Sequence, residues 1–156
     1  MDRTVIDRYA KGAKALGAAI AGLTKADLTA FPVPGTWSIQ QIVFHMYDSE
    51  LIASDRLKRI IAMENPLLIG YDETAFASHL FYNDLDSQVA CSIVEQNRQL
   101  TAEIFRRLSD EAFSRTGIHN ERGKITLGEY LKSTCDHLDH HLTFIRKKRE
   151  LLGKPL

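Results

Sequence analysis

Apolar residues recur at spacings of three and four through four long stretches of this 156-residue chain, and Pro- and Gly-bearing segments separate the stretches. That period belongs to helices with one buried face. The first stretch runs from about Asp2 to Leu23, with Val5, Tyr9, Ala13, Leu16 and Ile20 on its stripe. Gly12, Gly17 and Gly22 weaken it as an isolated helix, so packing must hold it, and small residues there let a neighbour come close. Pro32, Pro34 and Gly35 end any helix in the segment 24–36, where Thr24–Leu28 adds one turn. The second helix starts at a capping box, Ser38 to Gln41, and reaches about Met63 with Ile39, Ile42, Met46, Ala53, Leu57 and Ile60 inward. The third spans about Asp84 to Leu108, with Val89, Ile93, Gln96, Leu100, Ile104 and Leu108 on one side. The fourth opens at the box Thr126 to Glu129 and ends near Leu151. No strand pattern survives, so the expected class is all-α: a four-helix bundle forming one domain over residues 1–156.

Connection lengths constrain the topology. The segment from Glu64 to about Asn83, broken by Pro66 and Gly70 and holding a short capped helix at Asp72, is long enough to return the chain along the bundle in the same direction. This long crossover between helices 2 and 3 favours up-down-down-up. Helices two and four then run antiparallel. A faint repeat agrees: Leu23–Leu28 followed by Gly35–Gln41 echoes Leu108–Phe113 followed by Gly123–Glu129.

Composition narrows the function classes. Lys plus Arg and Asp plus Glu are equal at 20 each, which argues against nonspecific nucleic-acid binding. The one basic run, Arg146-Lys147-Lys148-Arg149, falls at a helix C-terminus, where it complements the dipole and solvates the end. Cys91 and Cys135 form no CxxC, and no apolar run approaches a membrane span. A cytoplasmic chain without membrane or nucleic-acid partners is expected.

Three of the six histidines crowd into His137, His140 and His141. His137 and His141 are one helical turn apart and share a stripe with Leu127, Tyr130, Thr134 and Ile145, while His140 falls at its rim. His45 lies in the apolar stripe of helix two. In antiparallel helices, its distance from the start of helix two brings it within about 5 Å of the level of His141. Three imidazoles on two helices suit one metal ion with open positions, the pattern of a reactive rather than a structural site. Hydrogen-bonded core histidines are the competing reading. HExxH, Glu-x-x-His, GxGxxG, GxxxxGK[ST] and GxSxG are all missing from the sequence.

Gly35-Thr36-Trp37-Ser38 continued to His45, Asp48 and Glu50 resembles the segment G-x-W-S-x-x-(Q/E)-x-x-x-H-x-x-D-x-E of the DinB/YfiT-like superfamily. Gly117–Leu131, continued to His137, His141, Leu142 and Ile145, resembles its C-terminal half. The resemblance covers about residues 30 to 150. It implies an up-down-down-up four-helix bundle, metal ligation by His45, His137 and His141, and His140 as a non-ligand. It also makes a homodimer expected, and Tyr71-Asp72-Glu73 matches another recurring stretch. Asp48, one turn after His45, is a candidate to orient a ligand or handle protons, with a surface carboxylate as the alternative. His119 is a candidate for the site mouth.

The implied function is a metal-dependent hydrolase, or a transferase that uses a low-molecular-weight thiol as cosubstrate, acting on a small molecule. Zinc or nickel leads the candidates for the divalent ion, with iron and manganese behind, since imidazole suits several metals. A non-catalytic, metal-stabilised binding or stress-response module is the alternative.

Overall fold

The computed structural model describes residues 2–156. The first bundle helix is composite: α1 (Thr4–Lys11), a 3-10 turn at Gly12–Lys14, then α2 (Ala15–Ile20). A one-turn helix α3 (Lys25–Thr29) precedes α4 (Ile39–Ala62). The crossover carries strand β1 (Leu67–Leu68), helix α5 (Glu73–His79) and a 3-10 turn at Tyr82–Asp84. Helix α6 (Ser87–Arg107) follows, then a 3-10 turn at Asp110–Ser114, strands β2 (Thr116–His119) and β3 (Gly123–Thr126), and α7 (Leu127–Leu151). Both expected capping boxes form: Ser38 with Gln41 and Thr126 with Glu129 each exchange side-chain and backbone bonds.

The composite first helix and α4 each pack against both α6 and α7. Ile6 and Tyr9 share one core cluster with Leu57, Ile60, Phe105, Leu127 and Leu131. Leu16 and Ile20 share the other with Ile39, Val43, Ala90, Val94 and Ile145. The start of the first helix therefore lies level with the ends of α4 and α6 and the start of α7. That is up-down-down-up, the topology that the crossover length favours. No helix among the described residues is long and apolar enough to cross a membrane.

Three expectations are corrected. Strands exist: β1 pairs parallel with β2, and β2 antiparallel with β3, in a small sheet across the bundle end. Strands this short leave no period-2 signal. Gly117 lets the strand lie close there: a Cβ would stand 2.9 Å from Leu68 Cδ1 and 3.0 Å from Ile60 Cγ1, and both side chains would have to shift.

The face of the third helix is the opposite of the expected one. Val89 and Leu100 are 55% and 71% exposed, and Ile93 and Ile104 are also exposed. The buried face holds Ala90, Cys91, Val94, Arg98, Thr101, Ala102 and Phe105. Mostly small residues bring α6 close to its neighbours, and Arg98 is buried because it pairs with Glu50 at 2.8 Å.

The basic run is half buried rather than solvating. Lys148 donates to the Thr36 hydroxyl, and Arg149 donates to the carbonyls of Ala19 and Ala21, which the end of α2 leaves without helical partners.

Candidate metal centre

His45 sits two turns into α4, and His137 and His141 lie one turn apart on the facing stripe of α7. Antiparallel packing puts the three rings on one level. The Nε2 atoms of His45 and His137 are 3.2 Å apart, and those of His141 and His137 are 3.0 Å apart. One ligand atom from each ring falls within 4.8 Å of the others. Trp37 lies against the His45 ring at 4.9 Å between centroids and helps fix it.

Electrostatics keep these rings neutral. Burial, then the nearby His137, pushes His45 down to about 4. Burial, followed by His137, His45 and His140, pushes His141 down to about 3. His137 is lowered by burial, then by His140 and Arg98. Three neutral imidazoles with converging Nε2 atoms form a donor set that suits a divalent transition metal and gives a proton little hold. Nδ1 of His141 is buried without a hydrogen-bond partner.

The crossover brings a residue that pattern reading left without a role. Glu73 opens α5, and its Oε2 lies 3.9 Å from Nε2 of His45. Partial burial, then Glu121 and Asp72, raises its carboxyl pKa. The stretch Tyr71–Glu73 was the available signal, but nothing local says that a loop carboxylate will meet a histidine on another element. Asp48 turns elsewhere: it accepts the Tyr82 hydroxyl, and none of its hydrogen bonds or ion pairs reaches the imidazoles. His140 stays at the rim, against Phe144.

A cavity of about 230 Å³ is lined by His137, Met46, Glu73 and Tyr130 together with His119 and Arg122 of the β2–β3 hairpin. His119, itself buried, is therefore part of the cavity lining. On the other side His141 borders an apolar cavity of about 430 Å³ with Trp37 and Phe144.

A sequence profile of the DinB superfamily matches residues 8–145. The chain is a member of the DinB superfamily. A relative from Oceanobacillus iheyensis, named as a candidate metal-dependent hydrolase, is 34% identical over 71% of this chain and 64% of its own length, so the match spans less than two thirds of that protein. YfiT of Bacillus subtilis, with the same description, is 26% identical over 76% of this chain and 67% of its own length. The solved YfiT structure, titled a probable metal-dependent hydrolase with an unusual four-helix bundle topology, superposes with a TM-score of 0.90 at 24% identity. That match covers 96% of this chain and 86% of the other, which establishes the DinB-type bundle as the fold here.

Proposed function

We propose that this chain is a metal-dependent hydrolase of a small molecule, with His45, His137 and His141 holding one divalent cation. The observation that carries the reading is the convergence of three neutral imidazole nitrogens beside a cavity. Zinc or nickel, then iron or manganese, suits such donors. A divalent cation held there supplies Lewis acidity toward a carbonyl and toward water. The residues around it do the rest. Glu73 is positioned to take the proton of an attacking water and return it to the leaving group. Asp48 holds Tyr82, and so fixes the crossover that delivers Glu73.

Metal analysis tests this. Purified protein should carry about one divalent ion per chain, and His137→Ala should lose it. Glu73→Gln should keep the ion and lose about 10²–10⁴ in rate. A chain that takes up no metal on titration would sink the reading. Assays with and without an added low-molecular-weight thiol separate hydrolysis from thiol transfer, which would use the same three histidines.

The exposed stripe of α6 supports a homodimer. Read antiparallel about its midpoint, it is self-complementary: Val89 meets Ile104, Ile93 meets Leu100, and Asp86 meets Arg107 of a second copy. Leu100→Glu should give monomers in sedimentation experiments without loss of metal. The free, buried Cys91 and Cys135 suit a reducing, cytoplasmic setting.

A further inference from the structure

Three arginines are more than nine-tenths buried, and they are satisfied in different ways. Arg98 is paired with the carboxylate of Glu50. Arg149 is wrapped by backbone carbonyls, among them those of Ala19, Ala21 and Lys154. Arg56, 8% exposed, has neither arrangement. It donates through Nη1 to the Tyr130 hydroxyl at 2.8 Å and through Nη2 to the carbonyl of Ile69. Among the described residues it makes no ion pair. A guanidinium has five N–H donors, and a buried cation without a counter-charge is costly.

Its surroundings repeat the pattern. Tyr130 accepts from Arg56, and its own hydroxyl proton has no acceptor among the described residues. His119 accepts the backbone N–H of Glu121 at Nδ1, which leaves its Nε2–H as a donor. All three side chains line the cavity that His137 also lines. The end of the cavity at Tyr130, about two turns of α7 from His137, therefore gathers buried donors around a guanidinium that makes no ion pair.

We propose that this end is an anion subsite, and that the substrate is a small monocarboxylate whose acid group is held by Arg56 and Tyr130 while its reacting bond lies at the three histidines. The inference rests on the hydrolase reading for the reacting end only. Tyr130 and His137 are seven residues apart on α7, or about 10 Å along the axis. A cavity of about 230 Å³ is smaller than drug-sized pockets, so a short, slender chain fits. A single charge is favoured over a phosphate because Glu73 and Glu121 line the same cavity and offset its second arginine, Arg122, so that little positive charge is left for a second negative one. Arginine with an adjacent hydroxyl also suits the planar, two-oxygen geometry of a carboxylate.

The test is calorimetric and needs no turnover. Hexanoate is titrated into the metal-loaded protein beside its neutral counterpart hexanamide. Hexanoate should bind at least about tenfold more tightly, the scale of a charge-assisted hydrogen bond. Arg56→Gln should abolish that preference with metal content unchanged. Tyr130→Phe, which keeps the ring and the fold, should weaken hexanoate severalfold and leave hexanamide alone. The preference should persist in metal-free His137→Ala, which separates the subsite from direct coordination of the acid by the ion. Equal binding of acid and amide, or a preference that survives both Arg56→Gln and Tyr130→Phe, overturns the proposal. Tighter binding of hexyl phosphate than of hexanoate overturns the carboxylate assignment. If esters and amides are not hydrolysed but the Arg56-dependent preference is present, the subsite stands and the hydrolase reading falls.

Discussion

Two polar clusters are buried in the same bundle, and they are finished in opposite ways. In one, Glu50 accepts from Arg98, Asn97 and Tyr9, and the Arg98 guanidinium lies over the Tyr9 ring at 4.6 Å. That cluster balances its charge internally, a cation against an anion, although Nη2 of Arg98 is buried without a hydrogen-bond partner. In the other, His45, His137 and His141 aim three nitrogens at one another and hold no proton well. It is a donor set that lacks an acceptor. Both are buried polar groups, but the first is neutral overall through its own ion pair, whereas the second converges ligand atoms that no group of the chain takes up. A closed network specifies how helices meet, whereas an open one needs something from outside.

Breaking the closed cluster should have the largest effect. Glu50→Ala leaves the buried Arg98 charge uncompensated and should cost about 3–5 kcal/mol in urea denaturation. Replacing both partners with apolar residues, Glu50→Leu with Arg98→Met, should recover much of that loss, because the two desolvation costs disappear together. If the single and the double variant are equally damaged, the pair is not the closed unit described.

The open cluster should respond to what is added. Zinc at about a hundred times its dissociation constant should raise stability by about 2.7 kcal/mol, and His137→Ala should remove the gain. Metal-free protein should also be acid-sensitive in a defined window. Above the ordinary imidazole value of about 6.5 the rings are neutral folded or unfolded and contribute nothing. Below it the unfolded chain takes up protons first, while His45 and His141 resist until about 4 and about 3. Stability should therefore fall as pH drops from about 6.5 toward 3, and the urea midpoint of His141→Phe should fall less steeply. A midpoint that is flat across that range would mean that the rings are not held neutral.

The two clusters also differ in how far the sequence reveals them. His137 and His141 advertise themselves through helical spacing, and His45 through its place in an apolar stripe. Both capping boxes and the long crossover were legible for the same reason: local rules decide them. Glu73, Arg56 and the β2–β3 hairpin were not, because their roles depend on loops meeting helices far away in the chain. The third helix shows the limit most clearly. Its strongest apolar stripe, Val89, Ile93, Leu100 and Ile104, is exposed, and its buried face carries Arg98. Hydropathy ranks that face as the outside until Glu50 on α4 is known to oppose it.

Gly12 offers the smallest and sharpest probe of the closed cluster. A Cβ at this position would stand 2.4 Å from Nη1 of Arg98 and 2.9 Å from Cδ2 of Leu138. The residue is in ordinary helical conformation, with φ of −62°, so backbone strain plays no part. Taken alone, Gly to Ala in a helix should stabilise by about 0.5–1 kcal/mol. The arginine tip would normally swing away from an added methyl, but here its Nε is bonded to Glu50 and its guanidinium lies over Tyr9. Overpacking of this kind typically costs about 1–3 kcal/mol, enough to reverse the sign of the helix gain. Gly12→Ala should therefore lower the urea midpoint in the wild type. In the Glu50→Leu, Arg98→Met background the methyl meets a flexible Met and only the tip of Leu138 remains close, so the same substitution should cost clearly less or become neutral. That relief would be the direct signature of a guanidinium fixed by its partners.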